Sequence, residues 1–453
     1  MNLHALLRQR ARNNNPVKVG IIGAGKFSTM FISQARFTPG MQIVGIAELD
    51  SQKARQACLR TGWPESSLSF EISTDAINDA ARKKRTAITE SAVELIAADL
   101  DVIVEITGDP EAGTAHAWYA LETGKHVIMV NVEADCLLGP VLHKKAAAVD
   151  RVYSMAYGDQ PAIIAELIDW ARTAGLEVVC AGKGTRFQPE YHYSTPETVW
   201  QHYGFTEKQV ATGDYNAKMF NSFLDGTKSA IEMCAVSNAS GLIPQKKGLQ
   251  FPPVGTGGLQ DILKPSADGG ILEHSGTVEV VACENRDGSP VKDDLRWGVY
   301  VVFKAPTAYV QRCFAEYGLQ VDPSGKYSAL YRPYHLIGLE LGISVASAAL
   351  RNEPTGSCEE FLADVAAVAK RDLQADEVLD GEGGFTVFGR LMPVEVSLQN
   401  SYLPMGLTAN ARLVRPVAKD ATLTYDDVEL DENLLSYSLR KTMEKETQEG
   451  MSS

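Results

Sequence analysis

Val17-Lys-Val-Gly-Ile-Ile-Gly-Ala-Gly-Lys-Phe-Ser28 is followed, twenty residues on, by Glu48 in Ile43-Val-Gly-Ile-Ala-Glu-Leu-Asp50. The run from Val17 to Ile22 has the length and β-branched character of a strand buried on both faces. Gly23 ends it with a tight turn. Gly25, lacking a side chain, lets a pyrophosphate approach the backbone N–H groups that open the next helix through Lys26 and Phe27, where the macrodipole favours anions. Ser28 stands where a third glycine usually packs helix against strand, so the pattern is G-x-G-x-x-S. Glu48 falls at the end of the second strand, where a carboxylate accepts hydrogen bonds from ribose hydroxyls and repels a 2′-phosphate. That favours NAD over NADP, although Lys53 and Arg55 just beyond offer charge to a phosphate.

At 453 residues the chain is too long for one compact core and should form two or three domains. The 43 basic and 57 acidic side chains leave a net charge of −14, a field that disfavours nucleic acid and anionic membranes as partners. An anionic substrate would need a local basic pocket. Cys58, Cys136, Cys180, Cys234, Cys283, Cys313 and Cys358 form no C-x-x-C pair, which points to reduced thiols in a cytoplasmic protein and away from structural zinc. No run approaches the ~18 apolar residues of a membrane span. Arg8, Arg10 and Arg12 are not followed by the apolar core of a secretory signal, so a soluble, intracellular protein is expected.

Outward from the opening stretch, strand patterns at Val17–Gly23, Met41–Ala47, Asp101–Ile106, His126–Asn131 and Arg151–Met155 alternate with helical ones. This is the signature of a parallel, doubly wound α/β sheet of Rossmann type. Cofactors lie at the carboxyl edge of such a sheet, which makes Thr107, Gly108, Asn131 and Glu133 candidate nicotinamide-side contacts. Pro110 opens the next helix. Asp159 reads as an N-cap for an amphipathic helix closed by Gly175. Beyond Leu176, strand patterns such as Thr277–Cys283 and Trp297–Ala305, around Arg286-Asp-Gly-Ser289, read as a hairpin in an antiparallel α+β region. The expected domains are residues 1–157 for the dinucleotide, 158–356 for catalysis and dimerisation, and a mainly β block at 357–453. Val368–Leu379 and Val417–Val428 form a weak internal echo, and the charged tail after Leu439 is expected to fray.

Asn216–Met233 reads as one amphipathic helix. Phe220, Phe223, Thr227, Ile231 and Cys234 share one side, and Lys218, Ser222, Asp225, Ser229 and Glu232 the other, flanked by Asn221 and Lys228. That polar stripe is either a solvated face or an active-site wall suited to proton transfer and anion binding. Lys183 and Arg186, in Ala181-Gly-Lys-Gly-Thr-Arg-Phe187, lie beside glycines and suit phosphate or carboxylate, or else a basic turn. Arg332, Tyr334 and His335 gather where Pro333 is expected to open an apolar helix, as anion ligands or as a structural contact. His116, His126 and His143 lack partners at ligand spacing and read as structural. His192, in Tyr191-His-Tyr193, is a loop candidate ranked below these clusters. No motif supports a metalloprotease or a covalent hydrolase, and no residue is assigned to a metal.

Gly23–Ser28, Val130-Asn-Val-Glu-Ala-Asp135, Lys218–Glu232, Tyr331-Arg-Pro-Tyr-His335, Ala369–Asp380 and Leu413–Leu430 together resemble the homoserine-dehydrogenase-related oxidoreductases that carry a C-terminal antifreeze-like (SAF) domain. These include the deoxyxylulose-phosphate reductoisomerase-like enzymes. The resemblance implies a homodimer of three-domain subunits, with a SAF-like third domain, converting 1-deoxy-D-xylulose 5-phosphate into 2-C-methyl-D-erythritol 4-phosphate for isoprenoid precursor synthesis, with NADPH. It implies Lys183, Arg186 or Arg332 as phosphate clamps, with Ser222, Tyr334 and His335 as further substrate contacts. Asp225, Lys228, Lys218 and Glu232 would handle protons or hold a divalent cation. Two positions depart from it. Homoserine dehydrogenases carry a lysine directly after Asn131, where this chain has Val132, and Glu48 favours NAD(H). The alternatives are a dehydrogenase of another small polyol, sugar acid or hydroxy-amino acid, and a regulatory protein that holds NAD(P) without chemistry.

Overall fold

The computed structural model describes residues 2–212 and 215–451. The chain divides into two compact units, Met1–Ile163 with Leu336–Glu359, and Ile164–His335 with Glu360–Ser453. Both are assembled from segments distant in sequence and cross the boundaries expected at 157 and 356.

In the first unit, β1 (Val17–Ile22), β2 (Met41–Ala47), β3 (Leu68–Phe70), β4 (Thr86–Thr89), β5 (Val102–Glu105), β6 (His126–Met129) and β7 (Tyr153–Met155) form one seven-stranded sheet in the order β3-β4-β2-β1-β5-β6-β7. Every pairing is parallel. β1 is apolar because it is central: Val17, Val19 and Ile21 are fully buried. β3 and β4 escaped the sequence reading because runs of three and four residues carry too little periodicity. From β1 the chain moves to β2 on one side and later resumes at β5 on the other, so the carboxyl ends of β1 and β5 form the crevice where such sheets bind ligands. Asp109 caps the helix Pro110–Glu122 through Ala112 N at 2.8 Å, with Pro110 in its first turn as expected. The helix Gly342–Arg351 joins this core, and Val345, Ala346 and Ala348 pack with Val17, Val19 and Ile21. Burial against β1, not proximity in sequence, assigns that segment here.

In the second unit, β8 (Glu177–Thr185), β9 (Thr277–Ala282), β10 (Val299–Lys304) and β11 (Tyr327–Arg332) make a mixed sheet in the order β11-β10-β8-β9. The hairpin expected between β9 and β10 is absent, because β8 lies between them, parallel to β9 and antiparallel to β10. β12 (Ala363–Ala369) and β13 (Val387–Pro393) form a small antiparallel sheet against the helix Thr227–Ser240. The two echoing stretches run against each other, with Val368 opposite Thr422 and Leu373 opposite Val417. The tail forms the helix Leu435–Met451, in which buried Arg440 donates to Asp364 at 2.6 Å and to Glu444 at 2.8 Å. Its charges anchor it, contrary to the fraying expected from composition.

No disulfide joins the cysteines of the described residues, and no helix among them is long and apolar enough to cross a membrane.

Candidate functional site

The first unit carries a cradle at the carboxyl end of β1. Gly23 has φ +104°, and a Cβ there would lie 3.0 Å from the Ile106 carbonyl oxygen, so the turn requires glycine. Gly25 starts the helix Lys26–Ala35 with no side chain capping its first turn, and a Cβ at Gly25 would meet nothing within 4 Å. The first-turn N–H groups, including those of Lys26 and Phe27, have no partner within their own helix and border this open space. Ser28 is fully buried with its hydroxyl unpaired, filling the packing role of the third glycine.

Glu48 closes the cradle. Its Oε2 accepts from Ala24 N at 2.8 Å and lies 3.4 Å from Lys53 Nζ. Arg55 is ion-paired with Glu65, which leaves Lys53 as the cation of the expected two that sits at this carboxylate. A dinucleotide fits these residues: the cradle is the space a Cβ on Gly25 would fill, and the carboxylate stands where the ribose belongs.

Across the crevice, the Thr107 hydroxyl donates to Glu105 Oε1 at 2.6 Å, and Gly108 has φ +75° with open space above it. Asn131 is buried and fully engaged. Its Nδ2 donates to the Asp109 carbonyl at 2.7 Å and to Thr107 Oγ1 at 3.3 Å, and its Oδ1 caps the helix Val132–Ala148 through Ala134 N at 3.1 Å. Asn131 therefore positions the Thr107–Gly108 loop. Glu133 lies in the first turn of the helix that Asn131 caps. Sequence reasoning missed Glu105, which is fully buried with Oε1 also 3.3 Å from His116 Nδ1 and Oε2 unpaired. Its signal was an acid ending an otherwise apolar strand.

The second unit holds the expected catalytic stripe, in a different form. Asn216–Met233 is two helices, Ala217–Leu224 and Thr227–Ser240, broken at Asp225-Gly226, where Gly226 has φ +86°. Asp225 is fully buried: Oδ2 accepts from Lys370 Nζ at 2.7 Å and Oδ1 from Thr227 N at 2.9 Å. Lys370 also donates to the Ser194 carbonyl at 2.8 Å and the Gly384 carbonyl at 2.7 Å, so all three ammonium protons are used. Glu232 is buried and ion-paired with buried Lys183. Ser222 is buried and donates to Glu382, exposed Lys218 donates to the Asp380 carbonyl, and Lys228 is half-buried in the first turn of the second helix.

Among the expected anion ligands, Arg186 is paired with Glu284 at 2.8 Å. Arg332 ends β11 with its guanidinium 4.8 Å from the Tyr334 ring, Tyr334 is exposed, and His335 Nδ1 lies 2.7 Å from the Trp297 carbonyl. The helix expected at Pro333 begins only at Gly342. Lys370 went unnoticed because nothing local marks a lysine whose acid partner lies 145 residues away. No cluster of three or more His, Cys, Asp or Glu among the described residues is arranged to hold a metal ion.

Two family models match the chain. Residues 19–154 match the NAD-binding domain of homoserine dehydrogenase, and residues 158–341 match the catalytic domain of oxidoreductase DRL. No protein of curated function matches. Among solved structures, an oxidoreductase domain protein from Kribbella flavida aligns at 14% identity over 40% of this chain and 46% of that one, with a TM-score of 0.29. myo-Inositol dehydrogenase from Lactobacillus casei, solved with NAD(H) and myo-inositol, aligns at 15% identity over 41% and 50%, with a TM-score of 0.28. Biliverdin reductase from Synechocystis, solved with biliverdin and NADP+, aligns at 18% identity over 43% and 54%, with a TM-score of 0.27. The chain thus spans about half the length of these solved proteins. The two family matches, with the cradle of the first unit, support an NAD(P)-dependent oxidoreductase.

Proposed function

We propose that this chain interconverts a hydroxyl and a carbonyl on a small polyol, sugar acid or hydroxy-amino acid, with NAD(H) preferred over NADP(H). The observation that carries the reading is the Glu48 carboxylate, tied to Ala24 N at 2.8 Å beside the open space over Gly25. When bound, the nicotinamide supplies or accepts hydride. In this reading Gly25 and the first turn of its helix take the pyrophosphate, Glu48 takes the ribose hydroxyls, and Thr107 and Gly108, braced by Asn131 and Glu105, border the nicotinamide. Within the second unit, the elbow is held by the Asp225–Lys370 and Glu232–Lys183 pairs.

The reductoisomerase reading implied by the resemblance stands second, together with its SAF-like C-terminal block and homodimer. A phosphorylated substrate needs a basic clamp, and two of the expected clamps, Lys183 and Arg186, already neutralise Glu232 and Glu284. The test is fluorescence titration with NADH and NADPH, followed by turnover on a panel of polyols, sugar acids, homoserine and deoxyxylulose phosphate. Tighter NADH binding with turnover of an unphosphorylated panel member is expected. Turnover of deoxyxylulose phosphate alone would favour the second reading, and tight binding without any turnover would favour a regulatory protein. Glu48→Gln should shift the NAD(H):NADP(H) binding ratio toward NADP(H) by roughly tenfold, about 1.4 kcal/mol.

A further inference from the structure

The helix Leu435–Met451 lies within the second unit, and a cleft of about 120 Å³ runs beside it. Lys441, Glu444, Lys445 and Gln448 follow the i, i+3, i+4, i+7 spacing that places side chains on one helix face, and that face lines the cleft. Ser397, in the helix Val394–Gln399, lines it too, with Ser401 and Tyr402 from the turn that follows and Tyr425. One water needs roughly 10–15 Å³, and drug-sized sites run to about 300–1,000 Å³. The cleft therefore suits a compact ligand group and not a dinucleotide.

The acids of this region are already engaged. Buried Glu444 accepts at Oε1 from the Tyr425 hydroxyl at 2.7 Å and Arg440 Nε at 2.8 Å, and at Oε2 from Lys441 Nζ at 2.7 Å. Burial pushes its pKa up, but the Arg440 guanidinium and these hydrogen bonds outweigh that and hold the carboxyl below its usual value. Asp364 accepts from Arg440 Nη2 and from the Ser397 hydroxyl, both at 2.6 Å. The Tyr425 and Ser397 protons thus point to acids, and the chemistry left for a ligand is that of donors. Lys441 uses one of its three ammonium protons on Glu444 and is steadied 3.8 Å from the Tyr425 ring centroid. Lys445 is exposed and reaches Glu449 only at 3.9 Å. Exposed Ser401 and half-buried Tyr402 add two hydroxyls.

We propose that this cleft binds a phosphate group, as inorganic phosphate or a small phosphomonoester, clamped by Lys441 and Lys445 with the Ser401 and Tyr402 hydroxyls as further donors. Two ammonium groups one helical turn apart repel each other, and an anion held between them removes that repulsion. Point-charge ammoniums and hydroxyls suit a tetrahedral oxyanion, whereas the planar fork that best matches a carboxylate belongs to arginine. The arginine here, Arg440, is buried and engaged with Asp364 and Glu444. The site is independent of the dinucleotide cradle of the first unit and of the activity proposed above.

The test is acylation of lysines in the full-length protein at fixed ionic strength, read residue by residue by mass spectrometry while inorganic phosphate, glycerol 3-phosphate or succinate is titrated. Saturating phosphate should slow acylation of Lys441 and Lys445 at least about fivefold and leave exposed Lys83 of the first unit unchanged. Phosphate bound only in the dinucleotide cradle would leave Lys441 and Lys445 as reactive as before, which would overturn the proposal. Protection at lower concentration by glycerol 3-phosphate assigns the site to an ester, and the reverse order to the free ion. Lys445→Gln, at an exposed position, should keep the wild-type unfolding midpoint and raise the phosphate concentration that protects Lys441 at least about fivefold. An unchanged titration in that variant, or equal protection by succinate, would also overturn it.

Discussion

The helices Lys26–Ala35 and Thr227–Ser240 each follow a glycine, one in each unit, and the two starts are treated differently. At Gly25 the first turn is left uncapped and faces open space. At Gly226 the preceding Asp225 puts its carboxylate on Thr227 N at 2.9 Å, and Lys370 neutralises that carboxylate from the other side. A helix N-terminus attracts an anion in either case. In the first unit the anion is left for a ligand to bring, whereas in the second the chain supplies its own and buries it. Open N–H groups leave room for an anion, and a self-capped start holds its own backbone.

The contrast is broken most severely at Lys370. Lys370→Met strands the Asp225 carboxylate in a fully buried position, and removal of one partner of such a pair costs about 3–5 kcal/mol. Urea unfolding should show that loss, and Lys370→Met with Asp225→Asn should recover part of it. An unchanged midpoint would mean the elbow is not held by this pair.

Asp135 in the first unit is the same residue type, equally buried but without a lysine. It is held by the Tyr153 hydroxyl at 3.0 Å and the Cys358 thiol, and burial raises its pKa from 3.8 to about 6. A raised carboxylate pKa favours the protonated folded form, so its contribution is complete below about pH 4 and is lost as pH rises through about 6. Over that window stability should fall by about 3 kcal/mol, and Asp135→Asn should remove this fall. An identical pH dependence in the variant would show that Asp135 does not titrate in the folded protein.

The smallest expected effect is at Gly25, whose extended backbone accepts any residue and whose Cβ would touch nothing. Gly25→Val should leave the unfolding midpoint within about 0.5 kcal/mol of wild type. It should weaken NADH binding at least about tenfold by filling the cradle. Loss of stability with binding intact would invert the comparison between the two glycines.

Much of the first unit was legible because its logic is local. A central parallel strand must be apolar on both faces, Gly23 must adopt φ +104°, and Asp109 must cap the helix it precedes. The second unit was legible only in composition. Period counting placed Asp225 and Glu232 on a solvated or cavity-lining stripe because it ran one helix through a glycine that ends it. The glycines beside Lys183 suited an anion ligand or a basic turn, where the fold spends this lysine on Glu232. His192 was visible as a loop histidine, but its tautomer depends on a carbonyl 33 residues away.

By itself the sequence determined the parallel sheet, the glycine turn after β1 and the acid that follows β2, since strand burial, a left-handed glycine and a helix N-terminus are dictated by residues adjacent in the chain. Tertiary structure alone decided which charges are free to do chemistry. Burial makes an ammonium and a carboxylate seek each other over any sequence separation, and only the packing of β8, β12 and the broken helix joins Lys183 to Glu232 and Lys370 to Asp225.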